Sequence, residues 1–109
     1  MSKHHLGEFE EIVMLTVAIL HDEGYGIAII EEMESRLGRK VSIGALQTVL
    51  RRLENKGYLS SQFGEATKIR GGKRKRFFSI TSYGKKILAE VKDQRLELWK
   101  AIPEFVLNN

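Results

Sequence analysis

Apolar residues recur along the chain first at helical spacing, then in alternation, then at helical spacing again. From Glu8 onward, Phe9, Ile12, Val13, Thr16, Val17 and Leu20 mark one helical face, and Glu8, Glu10 and Glu11 sit where a first turn favours negative charge. Met14, Leu15, Ala18 and Ile19 widen this stripe, so the helix is apolar on more than one side. Either it is a central core helix, or it buries one face in the domain and offers the other to a partner subunit. After HDEGYG, Ile27, Ile30, Met33 and Leu37 predict a second helix that Gly38 stops. A short basic link, Arg39 to Val41, leads to Ser42, the expected N-cap of a third helix. Its core stripe is Leu46, Val49, Leu50 and Leu53, and its C-terminal glycine is Gly57.

Beyond Gly57 the period changes. YLSSQF at 58–63 and KRFFSIT at 75–81 flank a loop of mostly small and charged residues, which predicts two short strands in a hairpin. Strand alternation puts Phe78 and Ile80 on one face with Arg76 nearer the loop, while Phe77 faces the other way. Thr81 is the expected N-cap of a fourth helix that runs to Pro103. On that helix Val91, Leu98 and Ile102 lie within about 60° of Ile87, Leu88 and Trp99 widen the stripe to about 120°, and Leu96 lies opposite. This is more apolar helix surface than one domain ordinarily covers. It predicts a two-fold interface built from Ile12, Leu15 and Ile19 of the first helix with Ile87, Val91, Leu98, Trp99 and Ile102 of the fourth. Packing within one protomer is the alternative.

The order helix, helix, short strand, helix, hairpin is that of a winged helix-turn-helix, whose third helix enters the DNA major groove. The expected fold is mainly α with a small β-hairpin. Residues 1–81 would form the DNA-binding domain and 82–109 a long C-terminal dimerisation helix belonging to the same compact unit. A length of 109 residues suits one domain.

Charge sharpens this picture. Residues 1–38 hold 2 basic and 8 acidic residues, whereas residues 39–76 hold 11 basic and 2 acidic ones, within a net charge of +4. A basic block of this kind is either the footprint of a polyanion partner or a solvated surface. The stretch IRGGKRKRFFSIT (69–81) concentrates it, with Gly71 and Gly72 letting the loop turn. Opposite the core stripe, the third helix carries Gly44, Gln47, Thr48, Arg51 and Asn55, with Arg52 beside them. Gln pairs bidentately with adenine and Arg with guanine, which makes Gln47, Thr48 and Arg51 the candidate base contacts. Lys68, Arg70, Lys73, Arg74, Lys75, Arg76 and Arg52 are candidate contacts to the DNA backbone. Gly44 admits a close phosphate, and Tyr25 and Ser42, each near a helix start, complete this set, although Tyr25 serves equally well as a packing residue.

Other classes fare poorly. With no cysteine there is no disulfide, zinc ribbon or thiol nucleophile, and His4, His5 and His21 have neither triad nor metal-site context, so no cofactor or metal is expected. GGKR at 71–74 fails as a phosphate-binding loop of an enzyme, which requires glycine where Thr67 stands and Ser or Thr where Arg74 stands. The longest apolar run, IVMLTVAIL at 12–20, is too short to span a membrane, and a cytoplasmic protein is expected. A nonspecific architectural or RNA-binding protein would use the same cations without needing the Gln47, Thr48 and Arg51 face.

Three stretches, EGYGIAIIEEME, SIGALQTVLRRLENKGYL and GGKRKRFFSITSYG, resemble the PadR family of bacterial transcriptional regulators, in particular its short members with a single C-terminal helix. The resemblance spans residues 6–103. The family's third helix commonly has tyrosine and proline where this chain has Gln47 and Thr48, and a pair of tyrosines where it has Phe77 and Phe78. The resemblance implies a repressor that binds palindromic promoter DNA as a homodimer and leaves it when an effector binds. Because some members hold flat hydrophobic compounds between aromatic residues at the dimer interface, it also implies Trp99 as an effector-site candidate. An interfacial tryptophan is otherwise a packing anchor.

Overall fold

The computed structural model describes residues 5–64 and 74–108. Its elements are α1 (Glu8–Leu20), a 3-10 turn (His21–Glu23), α2 (Gly26–Leu37), α3 (Ile43–Asn55), β1 (Leu59–Phe63), β2 (Arg76–Ile80), α4 (Ser82–Ala101) and a short α5 (Glu104–Leu107). The fold is mainly helical with one antiparallel hairpin, as the residue pattern predicts.

Both faces of α1 are real. Val13, Met14 and Val17 are fully buried, while Leu15 and Ile19 are exposed on the outer side. Glu10 is buried among them, accepting hydrogen bonds from the Gly7 amide at 2.9 Å and from Lys56 Nζ at 2.8 Å. This pair ties the start of α1 to the residue that ends α3. Desolvation pushes the Glu10 carboxyl's pKa up, but the Lys56 and Gly7 hydrogen bonds and the charges of Lys56 and Arg52 together outweigh it and hold the pKa below its ordinary value.

The second helix buries a different stripe from the one expected. Ile29 and Met33, four residues apart, point into the core with Ile30 partly covered. Ile27 lies about 140° from that direction and is 54% exposed, and Leu37, in the last turn, runs past the core. Gly38, in the left-handed region at φ 65°, ends the helix with its amide on the Glu34 carbonyl.

No strand forms in the link between α2 and α3. Arg39 pairs with Glu8 at 2.8 Å and its guanidinium covers the Phe9 ring, which holds the link against α1. The third strand-like segment lies before α2 instead. Tyr25 bridges Phe77, and the Phe78 amide donates to the Gly24 carbonyl at 2.9 Å.

The hairpin runs in the register Leu59↔Ile80 to Phe63↔Arg76. Phe78 and Leu59 close the core beneath it, with Ile80 packed alongside. Thr81 starts α4 as expected, its hydroxyl oxygen accepting from the Gly84 amide at 2.9 Å and its hydroxyl donating to the Gly57 carbonyl at 2.7 Å. Gly84 sits against the Tyr58 carbonyl so closely that a Cβ would lie 2.2 Å from that oxygen. Of α4 only Gly84 and Ile87 are buried. Ile87 is thus a residue of the protomer's own core and not of its free surface, because it lies in the turn that packs directly on α1 and the hairpin. From Lys92 to Ala101 every α4 residue is exposed, Leu98 at 72% and Trp99 at 61%.

Candidate nucleic-acid interface

The exposed face of α3 begins with its cap. Ser42 Oγ accepts from the Ala45 amide at 3.1 Å, leaving the hydroxyl proton free for an outside acceptor. Gly44 follows, and in front of it the space is open. Thr48 Oγ1 donates to the Gly44 carbonyl at 3.0 Å, which ties its hydroxyl to the preceding turn. Gln47 and Arg51 are exposed and carry no hydrogen bond or ion pair to other described residues. Arg52 is exposed beside them. An uncommitted amide and guanidinium on one helix face are groups able to pair with base edges.

The wing stands next to this face. A groove of about 760 Å³ separates them, and Gln47, Arg51, Arg74 and Lys75 line it together with Tyr25 and Ile27. Cations and rings are interleaved along its edge. Lys75 Nζ lies 4.1 Å from the Tyr25 ring centre, and Arg74 covers the exposed Phe63 ring at 5.4 Å while its Nε donates to the Gly64 carbonyl at 2.8 Å. Such stacking holds long side chains in place while leaving their charge available.

Arg76, expected among the backbone contacts, is committed inward. Its guanidinium donates to Glu54 at 2.8 Å and to Ser61 Oγ at 2.9 Å, and Ser61 donates to the other Glu54 oxygen at 2.6 Å. The three residues brace the end of α3 against both strands, and Arg76 neutralises Glu54, the one carboxylate among the described residues that line the groove.

Phe77 also finds its place. Its ring packs edge-on against Tyr25, with centroids 5.6 Å apart, and covers Gly64, where a Cβ would be 2.6 Å from it. Tyr25 therefore packs against the wing base as well as bordering the groove. Lys68, Arg70 and Lys73, with the turn glycines Gly71 and Gly72, lie outside the described residues. Ile43, at the first position of α3, is a groove residue that periodicity did not single out, and Ile27, expected in the apolar stripe of α2, lines the groove instead.

The candidate interface residues of α1 and α4 separate into two groups. Leu15, Ile19, Leu98 and Trp99 are exposed, whereas Ile12, Val91 and Ile102 are half-buried. Leu15, Leu88, Leu96 and Trp99 line a groove of about 340 Å³ between the two helices, crossed at its rim by an Arg95–Glu11 pair at 2.6 Å. Among the described residues no cluster of His, Asp or Glu could hold a metal, and no helix is long and apolar enough to cross a membrane.

Comparison with known proteins agrees with this geometry. A PadR-like transcription factor from Bacteroides fragilis superimposes with a TM-score of 0.71 at 29% identity, covering 84% of each chain. A PadR family regulator from Eggerthella lenta gives 0.69 at 27% identity over 94% of this chain and 88% of the other. An uncharacterised protein of Lysinibacillus sphaericus is 31% identical over 102 residues, 92% of this chain and 89% of that protein. Residues 14–90, which contain α2, α3, the hairpin and the anchored start of α4, match the model of the transcriptional regulator PadR-like family. A helix-and-wing surface of this shape, in a sequence that fits the family over most of its length, leaves one assignment: the chain belongs to the PadR-like family of transcriptional regulators, proteins that bind DNA and are not enzymes.

Proposed function

We propose that the protein is a repressor that binds a palindromic promoter site as a homodimer, with Gln47, Thr48 and Arg51 reading base edges. Residues 1–81 do the binding and 82–109 the pairing. Ser42, Gly44, Arg52, Arg74 and Lys75 meet phosphates on either side of α3, and Lys68, Arg70 and Lys73 extend this set along the wing. Tyr25 contributes chiefly by holding Lys75 in place. The observation that carries the reading is the face of α3 itself. Among the described residues its amide and guanidinium groups are exposed and uncommitted, and Glu54, the acid bordering them, is tied to Arg76. The exposed second half of α4, together with Leu15 and Ile19, supports pairing about a two-fold axis, which sets recognition helices about 34 Å apart. A hydrophobic effector entering beside Trp99 would change that spacing and release the DNA.

Selection from randomised duplexes tests the reading. An enriched palindrome with half-sites one helical turn apart is expected. On that site Gln47→Ala or Arg51→Ala costs about 1–3 kcal/mol and relaxes specificity. Lys75→Ala weakens all duplexes alike and lowers the salt slope by about one. No enrichment, with equal losses on cognate and random DNA, would favour a nonspecific nucleic-acid binder. Quenching of Trp99 fluorescence by flat aromatic compounds, with loss of DNA binding, tests the effector step.

A further inference from the structure

We infer that Ile43, seated on Gly26 and flanked by Ile27, is a specificity-determining residue that reads the C5-methyl group of a thymine in the major groove. The inference rests on the proposed DNA reading and adds a base preference to it. Ile43 is 42% exposed and Ile27 54% exposed, and both line the groove that also holds Gln47, Arg51, Arg74 and Lys75. Two aliphatic side chains among cations suit no ordinary apolar partner, since docking one would strip those charges of water. Duplex DNA satisfies both features at once. Its phosphates meet the cations, and the thymine methyl is the apolar group that base edges present in the major groove.

Position within α3 supports the same reading. Ile43 is the first residue of the helix, and N-terminal residues of a recognition helix are the ones that reach base edges. Gln47 lies one turn later and about 40° around the axis, so the two side chains address neighbouring base pairs. Adenine suits the Gln47 amide, and thymine suits the Ile43 methyls. The Ile43 side chain is also held still. A Cβ at residue 26 would lie 3.1 Å from Ile43 Cδ1, so Gly26 provides the shelf on which it rests, and β-branching limits its rotamers.

The test uses the selected site with each thymine replaced in turn by deoxyuridine, which removes only the methyl. Binding is measured by fluorescence anisotropy for the intact protein, Ile43→Ala and Ile43→Val, each checked by thermal melting. One or two thymines per half-site are expected at which deoxyuridine weakens the intact protein about fourfold. At those positions Ile43→Ala should bind both duplexes equally, whereas Ile43→Val should keep the discrimination. The inference is overturned if no thymine is sensitive, or if Ile43→Ala stays as sensitive as the intact protein. In either of those cases site-selective binding survives and only the thymine reading falls; absence of any selected site removes both.

Discussion

Gly44 stands in the first turn of α3 with nothing within 4 Å of where a Cβ would be. No packing inside the protomer calls for a glycine there, and glycine in a helix costs roughly 0.5–1 kcal/mol relative to alanine. The proposed phosphate approach accounts for it. Gly44→Ala is expected to raise stability in urea titrations by up to about 1 kcal/mol while weakening binding to all duplexes. Unchanged affinity would place the nearest phosphate elsewhere. At this scale the sequence is legible where chemistry is local. Ser42 and Thr81 cap the helices they precede, because a cap needs only its own first turn. Phe77 was not legible, since Tyr25 and Gly64, the residues its ring covers, are brought to it by the tertiary fold. Arg76 looked like its cationic neighbours until Glu54 and Ser61 were seen to hold it.

Among elements, α1, α3 and the hairpin follow their residue periods closely, while α2 does not. Its sequence carries enough isoleucines to support two stripes, and the choice of Ile29 and Met33 is made by what α1 and α3 present to it. The missing strand after α2 has a similar cause, since Arg39 is drawn to Glu8 and Phe9 across the domain. The junction of α1 with the end of α3 leads to a pH prediction. The Glu10 pKa is lowered on folding, so its contribution is complete above the ordinary carboxylate value of 4.5 and is lost as pH falls through the lower folded value. Glu10→Gln should therefore destabilise the protein by about 1–3 kcal/mol near neutrality. That difference should shrink below about pH 4. Urea titrations of both proteins across this range check it; a constant difference would show that Glu10 contributes by packing and not by charge.

Across the whole molecule, acid and base are segregated along the sequence, and Arg51, Arg74, Lys75 and Arg76 meet at the groove between α3 and the hairpin. Apart from the groove isoleucines, much of the exposed apolar surface lies on the outer side of α1 and along the second half of α4, continuing into Phe105, Val106 and Leu107. The breadth of those stripes was visible in the sequence. Which part of α4 the protomer covers was not, because helical spacing records direction around the axis and not where a neighbouring helix stops. Leu98→Glu tests the division of labour. At 72% exposure the side chain contributes little to the protomer. The substitution should leave the thermal midpoint of the monomer nearly unchanged, shift the sedimentation velocity profile from dimer to monomer, and weaken palindrome binding at least tenfold. A dimer that persists would exclude this face as the interface.

The contact between Gly84 and the Tyr58 carbonyl makes the start of α4 a stiff pivot, with no flexible side chain between the two backbones. Trp99 lies fifteen residues along the helix, about 22 Å from that pivot. A tilt of about 10° there would carry the tryptophan end sideways by roughly 4 Å. The pivot adjoins Gly57 and Tyr58, the link that leaves α3, so a tilt of α4 about it would bear on the end of α3. Under the proposed DNA reading, a small displacement at the far end of α4 would change the angle at which α3 meets the duplex.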